Sequence, residues 1–229
     1  MSNVQEIVAG QLWEVGHVIP MIPGVRLPAR MVIMQLEDGL ALWSPVPISD
    51  SAGVAIDAIG PVRYIIAPNN YHHLFLRPAM ERYPDAEVWA APGLQTKRAD
   101  LNLTNLLGPG VTPPFAAELE PLFLQGQPML EESVFLHHAT RTAIVTDALF
   151  NLEELDGAVG RFFFRMVGAY GKPAQSRMWR AAAKDKAAVA DSLRGVLAHD
   201  FDRLVMAHGS IIQTGGHRAL TDATSWLLG

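Results

Sequence analysis

Two successive blocks of this 229-residue chain follow the same progression, strand-like segments first and helical segments after. In the first block, residues 12–18 and 31–43 are apolar, and the second run is interrupted by Glu37-Asp38-Gly39. An Asp-Gly between apolar runs marks a hairpin, because glycine accepts the positive φ of a tight turn. Pro45 and Pro47 stop the second strand, since proline cannot donate to a ladder. Asp50–Ile59 reads as a helix capped by Ser49 or Asp50 and closed by Gly60-Pro61. Val62–Ala67 (VRYIIA) has the apolar, β-branched character of a strand buried within a sheet. A helical period resumes at residues 74–83, and residues 87–91 form a further strand before Pro92-Gly93. Residues 94–114 are polar with Gly and Pro clusters and read as a long loop or a pair of turns. The second block places strands at residues 119–124, 133–137 and 142–146, and turns helical from Leu152. Residues 176–199 carry Trp179, Val189, Leu193 and Val196 on one face; a strand at 201–207 and a helix at 220–228 follow. This order predicts two packed sheets with helices outside, rather than one doubly wound parallel sheet.

Composition removes several classes of function. With no cysteine, the chain has no disulfide framework, thiolate metal site or cysteine nucleophile. A net charge of −5 argues against a nucleic-acid partner, which calls for a basic face. No apolar run approaches the roughly 18 residues of a membrane span. The start of the chain, Met1 to Glu6, has neither the basic nor the apolar region of a secretory signal. These features predict a cytoplasmic protein of one domain over residues 1–229, acting on a small molecule and able to form a homodimer.

The chemistry concentrates at strand ends. Of eight histidines, four form the pairs His72-His73 and His137-His138, each beyond an apolar strand; Asp147 and His208 also close strands. Rigid sheets hold groups at such ends against the water boundary. Imidazole and carboxylate suit Zn²⁺, Fe or Mn²⁺, and three or four converging groups make a site. Neighbours in extended chain face opposite ways, so one histidine of each pair is expected to point inward, and the residues alone do not say which. Asp147 has a second reading as the cap of a helix beginning near Leu149. The aromatic stretch 161–170, with Phe162-Phe163-Phe164 between Arg161 and Arg165, reads as a helix covering a sheet or as a wall over an apolar substrate.

Taken in order, these segments resemble the metallo-β-lactamase fold superfamily over most of the chain, and more narrowly an uncharacterised bacterial branch with a degenerate metal motif. The residues that carry the resemblance are Ile65 to His73, with its Pro-Asn-x-x-His-His-x-Phe pattern, then Phe135 to His138, Ala143 to Phe150 and Leu204 to Gly209. The resemblance implies a four-layer αββα sandwich of two mixed β-sheets flanked by helices. It also implies a metal site drawn from His73, His138, Asp147 and His208, with His72 and His137 as alternates. The first two histidines of the family motif fall on Asn69 and Tyr71, so a two-metal centre is not expected. Either His72 or His73 occupies the place of the signature aspartate.

The resulting expectation is a metal-dependent, mononuclear hydrolase-like protein holding one divalent metal, Zn first and Fe or Mn otherwise. Water on that metal would attack an ester, thioester, lactone or phosphodiester. The spare histidine of the 72–73 pair would shuttle the proton, and Asn69 and Tyr71 would donate to the substrate oxygen. The competing expectation is a metal-free, degenerate member acting as a ligand-binding or interaction protein, favoured by the losses at Asn69 and Tyr71.

Overall fold

The computed structural model describes residues 3–229; Met1 and Ser2, part of the segment read for a signal, lie outside them. Seven strands lie side by side in chain order in the first sheet: β1 (Val4–Val8), β2 (Leu12–Ile22), β3 (Val25–Leu36), β4 (Gly39–Trp43), β5 (Val62–Ala67), β6 (Glu87–Ala90) and β7 (Asn105–Leu106). Pairing is antiparallel from β1 to β4 and parallel from β4 to β7. The second sheet contains β8 (Leu119–Phe123), β9 (Ser133–His137), β10 (Thr142–Val145) and β11 (Arg203–Met206), in the order β11-β10-β9-β8. There, β10 and β11 are parallel while β8, β9 and β10 alternate in direction. The helices are α1 (Asp50–Ile59), α2 (Leu76–Arg82), α3 (Leu94–Lys97), α4 (Ala158–Met166), α5 (Arg177–Ala182), α6 (Lys186–Leu197) and α7 (Gly216–Leu228).

The period-two alternation of the strands builds the layers. Val32, Met34, Trp43, Tyr64 and Ile66 of the first sheet meet Phe135, Ile144 and Val205 of the second in a central core. The alternate residues Met31, Ile33, Leu40, Leu42 and Ile65 face outward, against Ile56 of α1, Leu76 and Ala79 of α2 and Leu94 of α3. On the far side, Val134, Leu136, Ala143, Val145 and Leu204 pack against Trp179 of α5, Val189, Leu193 and Val196 of α6 and Leu220 of α7. The expected αββα sandwich of two mixed sheets is the fold. Among the described residues, no helix is long and apolar enough to cross a membrane.

Several local expectations are corrected. Residues 94–114 are not wholly irregular, since they contain α3 and the edge strand β7. The helical reading of 176–199 splits in two, because Lys184 N and Asp185 N donate to Gly126 O while the Asp185 carboxylate caps α6 through Ala188 N. No helix follows Asp147. Phe150, Asn151 and Leu152 instead form isolated bridges to Ala174, Gly209 and Tyr170, which rules out the capping reading.

Candidate metal centre

One edge of the sandwich collects strand ends from both sheets. Because β10 and β11 are parallel, the residues that follow them, Asp147 and His208, emerge side by side. From the first sheet, β5 delivers residues 68–73 to the same edge, where Pro68 O accepts from Ser133 N at 2.9 Å and Asn70 N donates to Leu130 O at 2.8 Å. Ligand-type atoms of His72, Asp147 and His208 there all lie within 4.8 Å of one another.

His137 and His138 do not join this group. β9 is antiparallel to β10, and His137 pairs with Thr142, the first residue of β10, so the end of β9 lies at the opposite end of the sheet from Asp147. His137 is buried there, with Nδ1 2.8 Å from Thr140 Oγ1 and Nε2 3.3 Å from Gln35 O. His138 is exposed and lies 3.1 Å from the Glu120 carboxylate. His73 also stays apart: the Arg98 guanidinium donates to its carbonyl at 3.0 Å and lies 3.3 Å from Nδ1. Burial first, then the Lys97 and Arg98 charges, lower its pKa from the usual imidazole value.

Asn69 explains why His72, rather than His73, faces inward. Its Oδ1 accepts from Tyr71 N at 2.8 Å and His72 N at 3.0 Å, closing the turn that aims His72 at the edge. Its Nδ2 donates to Thr146 Oγ1 at 2.9 Å and Asp147 Oδ2 at 2.7 Å. With both amide hydrogens engaged, Asn69 has none left for a substrate oxygen, contrary to the expectation from sequence. Tyr71 is 48% exposed, and its ring carries Lys97 Nζ 4.4 Å from the centroid.

The proton on His208 can be placed by its partner. Nδ1 is 2.7 Å from Pro28 O, and a carbonyl only accepts, so Nδ1 carries hydrogen and Nε2 of the neutral ring is a lone pair. That Nε2 stands 3.6 Å from Asp147 Oδ1. On the other carboxylate oxygen, His72 Nε2 stands 3.6 Å from Oδ2, while its Nδ1 is 2.6 Å from Ser44 Oγ. Both separations exceed a hydrogen bond. They match ligand atoms sharing one ion at about 2.0–2.2 Å each, which stand roughly 3–4 Å apart. Burial lowers the His72 pKa against the pull of Asp147. Burial acts to raise Asp147, but the His208 and His72 imidazoles, where they carry a proton on Nε2, prevail and hold it well below the usual carboxylate range.

The surrounding residues hold this geometry. The Arg30 guanidinium, paired with Glu14, donates to Met206 O and Gly209 O, the carbonyls either side of His208. Gly209 has φ +98°, and a Cβ there would sit 2.1 Å from Asn151 O, so the chain needs glycine to bring His208 round. Below Asp147 lies Glu132, fully buried, whose Oε1 accepts from Thr146 N at 2.9 Å, Thr146 Oγ1 at 2.6 Å and Ala148 N at 3.1 Å. Burial, then the Asp147 charge, pushes its pKa up to about 7. Sequence reasoning missed Glu132 and Ser44. The signal for Glu132 was the hairpin itself, which sets the residue before β9 beside the end of β10.

His72, Asp147, His208 and Ser44 open into a pocket of about 370 Å³ whose other lining residues, Tyr71 and Ser176 apart, are apolar. Phe163 and Phe164 of α4 line it, so the aromatic stretch 161–170 forms a wall of the site as well as covering Val25, Phe150 and Leu152.

A family model described as a domain of unknown function (DUF4336) matches residues 9–162. No curated protein matches the chain by sequence. Among solved structures, the metallo-β-lactamase from Pontibacter korlensis superposes with a TM-score of 0.64 at 14% identity, covering 99% of each chain. The metallo-β-lactamase from Hirschia baltica gives 0.65 at 11% identity, over 99% of this chain and 98% of that one. A third, from Erythrobacter litoralis, gives 0.64 at 14%, over 97% and 96%. At such identities the likeness is one of fold.

Proposed function

The chain belongs to the DUF4336 family, a domain of unknown function, and we propose that it is a hydrolase that uses one divalent cation held by His72, Asp147 and His208. The observation that carries this reading is the His208 tautomer. A ring whose Nδ1–H is committed to Pro28 O turns a lone pair toward a carboxylate 3.6 Å away, an arrangement that calls for a positive charge between them. His72 stands with Nε2 at the same 3.6 Å from the second carboxylate oxygen, and its Nδ1 partner, the Ser44 hydroxyl, can accept from that nitrogen or donate to it. Imidazoles fixed through the far nitrogen are the usual outer support of a metal site. Two imidazoles and a carboxylate suit Zn²⁺, with Fe²⁺ and Mn²⁺ as alternatives, and three ligands leave a position for substrate.

When bound, such an ion supplies Lewis acidity and lowers the pKa of its water from about 16 toward 7. The chain does the rest. Asn69, anchored on Thr146 Oγ1, holds Asp147 in place, Arg30 fixes the turn that carries His208, and the apolar walls keep bulk water from the reacting carbonyl.

The competing reading is a metal-free binding protein in which His208 is protonated and paired with Asp147; it draws on Asn69 and Tyr71 standing where the fold family has histidines. Elemental analysis of protein purified without chelator separates the two. About one equivalent of Zn, Fe or Mn, lost in Asp147→Ala together with ester hydrolysis, is the expected result. No uptake of any of these ions, even after soaking, would overturn the hydrolase reading.

A further inference from the structure

The lining of the pocket narrows the substrate. Among the described residues that line it there is no lysine or arginine, and Asp147 is the sole carboxylate. Lys97, which reaches the mouth through the Tyr71 ring, donates to Asn70 O at 2.7 Å. A nucleotide thioester or a carboxylated lactam would carry negative charge away from the reacting carbonyl into this apolar space, where no side-chain cation meets it. An unpaired anion in such surroundings costs several kcal/mol or shifts its protonation instead.

The walls are suited to hydrocarbon. Phe163, Phe164 and Val167 close one side, Trp179 and Met178 another, and Leu74 stands at the mouth. Met178 is 70% exposed, Leu74 57% and Met129 55%, so the rim itself is apolar, with flexible methionines able to adjust to a chain passing over them. A volume of about 370 Å³ holds about a dozen non-hydrogen atoms at roughly 30 Å³ for each water-sized group.

From these observations we infer that the substrates are neutral esters with an unbranched aliphatic acyl arm of up to about ten carbons, the arm lying along α4 and α5 and the carbonyl at His72, Asp147 and His208. This rests on the hydrolase reading above. The reaction adds water across the acyl C–O bond: the water oxygen bonds to the carbonyl carbon, that bond breaks, and the alkoxide leaves with a proton as alcohol, giving one carboxylic acid and one alcohol. Asp147 and the two histidines would hold the cation that polarises the carbonyl, and the aliphatic arm supplies the binding energy. Each methylene buried contributes about fourfold to kcat/KM.

The test uses the metal-replete full chain with 4-nitrophenyl esters from acetate to laurate, and with the negatively charged 4-nitrophenyl hydrogen succinate. In parallel, binding of 2-undecanone, a neutral ketone that cannot be hydrolysed, is followed by thermal shift with and without metal. The expected result is kcat/KM rising about three- to fourfold per methylene to about ten carbons, with the charged ester slowest and the ketone binding. Leu74→Arg, at an exposed rim position, should flatten the chain-length series and favour the succinate. Hydrolysis that ignores chain length, or favours the succinate in the unaltered chain, would overturn the substrate class and leave the hydrolase reading standing. Ketone binding without hydrolysis of any ester would leave the pocket assignment standing and overturn the hydrolase reading. If neither occurs, both fall.

Discussion

His72-His73 and His137-His138 are the same dipeptide, each placed beyond an apolar strand, yet the fold puts them to different use. His72 faces Asp147 and His208, whereas His137 bonds to Gln35 O and Thr140 and His138 meets Glu120 at the surface. The difference is strand direction. β5 delivers its pair to the edge where the parallel strands β10 and β11 end, but β9 is antiparallel to β10 and carries its pair away. A strand end is therefore a candidate position only together with its direction. The same hairpin that removes His137 brings Glu132, before β9, under Asp147.

The strongest way to break this comparison is to remove one histidine at a time. His72→Ala and His208→Ala should each lower bound metal and ester kcat/KM by at least about 100-fold, since each removes a proposed ligand. His138→Ala and His73→Ala should leave both within about twofold. Metal loss in His138→Ala with retention in His72→Ala would reverse the assignment.

A second comparison sets Glu132 against His137, two buried polar groups at opposite ends of β9. Glu132→Ala orphans four donors, Thr146 N and Oγ1, Ala148 N and Trp179 Nε1, and should cost about 3 kcal/mol or more in urea unfolding. His137→Ala loses two bonds and should cost less while leaving metal content unchanged. Glu132 also sets a pH dependence. Its pKa of about 7 in the folded chain exceeds its ordinary 4.5, so the folded state binds more protons between those values. Glu132 therefore contributes a fall in the stability of the chelator-treated chain as pH rises from about 4.5 to 7, against the rise contributed by the lowered pKa values of His17, His72, His73 and His137. Glu132→Gln should make stability rise more steeply with pH in that window. An unchanged slope in Glu132→Gln would assign it to other groups.

The smallest effect concerns Ser44. Its hydroxyl orients His72 without being a proposed ligand, so Ser44→Ala should weaken metal affinity by about 10–100-fold, with activity restored at saturating metal. Activity that stays lost at saturating metal would make Ser44 a participant in the chemistry rather than a support.

Much of the fold was legible in the sequence. The Asp38-Gly39 hairpin, the α1 boundaries with Ser49 as cap, and the runs at β5 and β9 were written in local patterns of turn chemistry and period. The break between α5 and α6 was not, because it depends on Gly126 O, a distant acceptor. At the site, Asp147 and His208 could be read as strand-end groups. Choosing His72 over His73 needed Asn69, whose amide spans the turn, and Ser44, which lies 28 residues away in the chain from its imidazole partner.

By itself, then, the sequence determined the alternation that splits each strand between two cores, the order of sheet and helix, and the residue types available for chemistry. Those are properties of neighbours along the chain, set by side-chain period and backbone preference. The tertiary structure decided which groups meet, which histidine turns inward, and that the floor of polar groups opens into an apolar chamber. Those outcomes depend on strand direction and on hydrogen bonds such as Pro28 to His208, across 180 residues of chain, which no local pattern encodes.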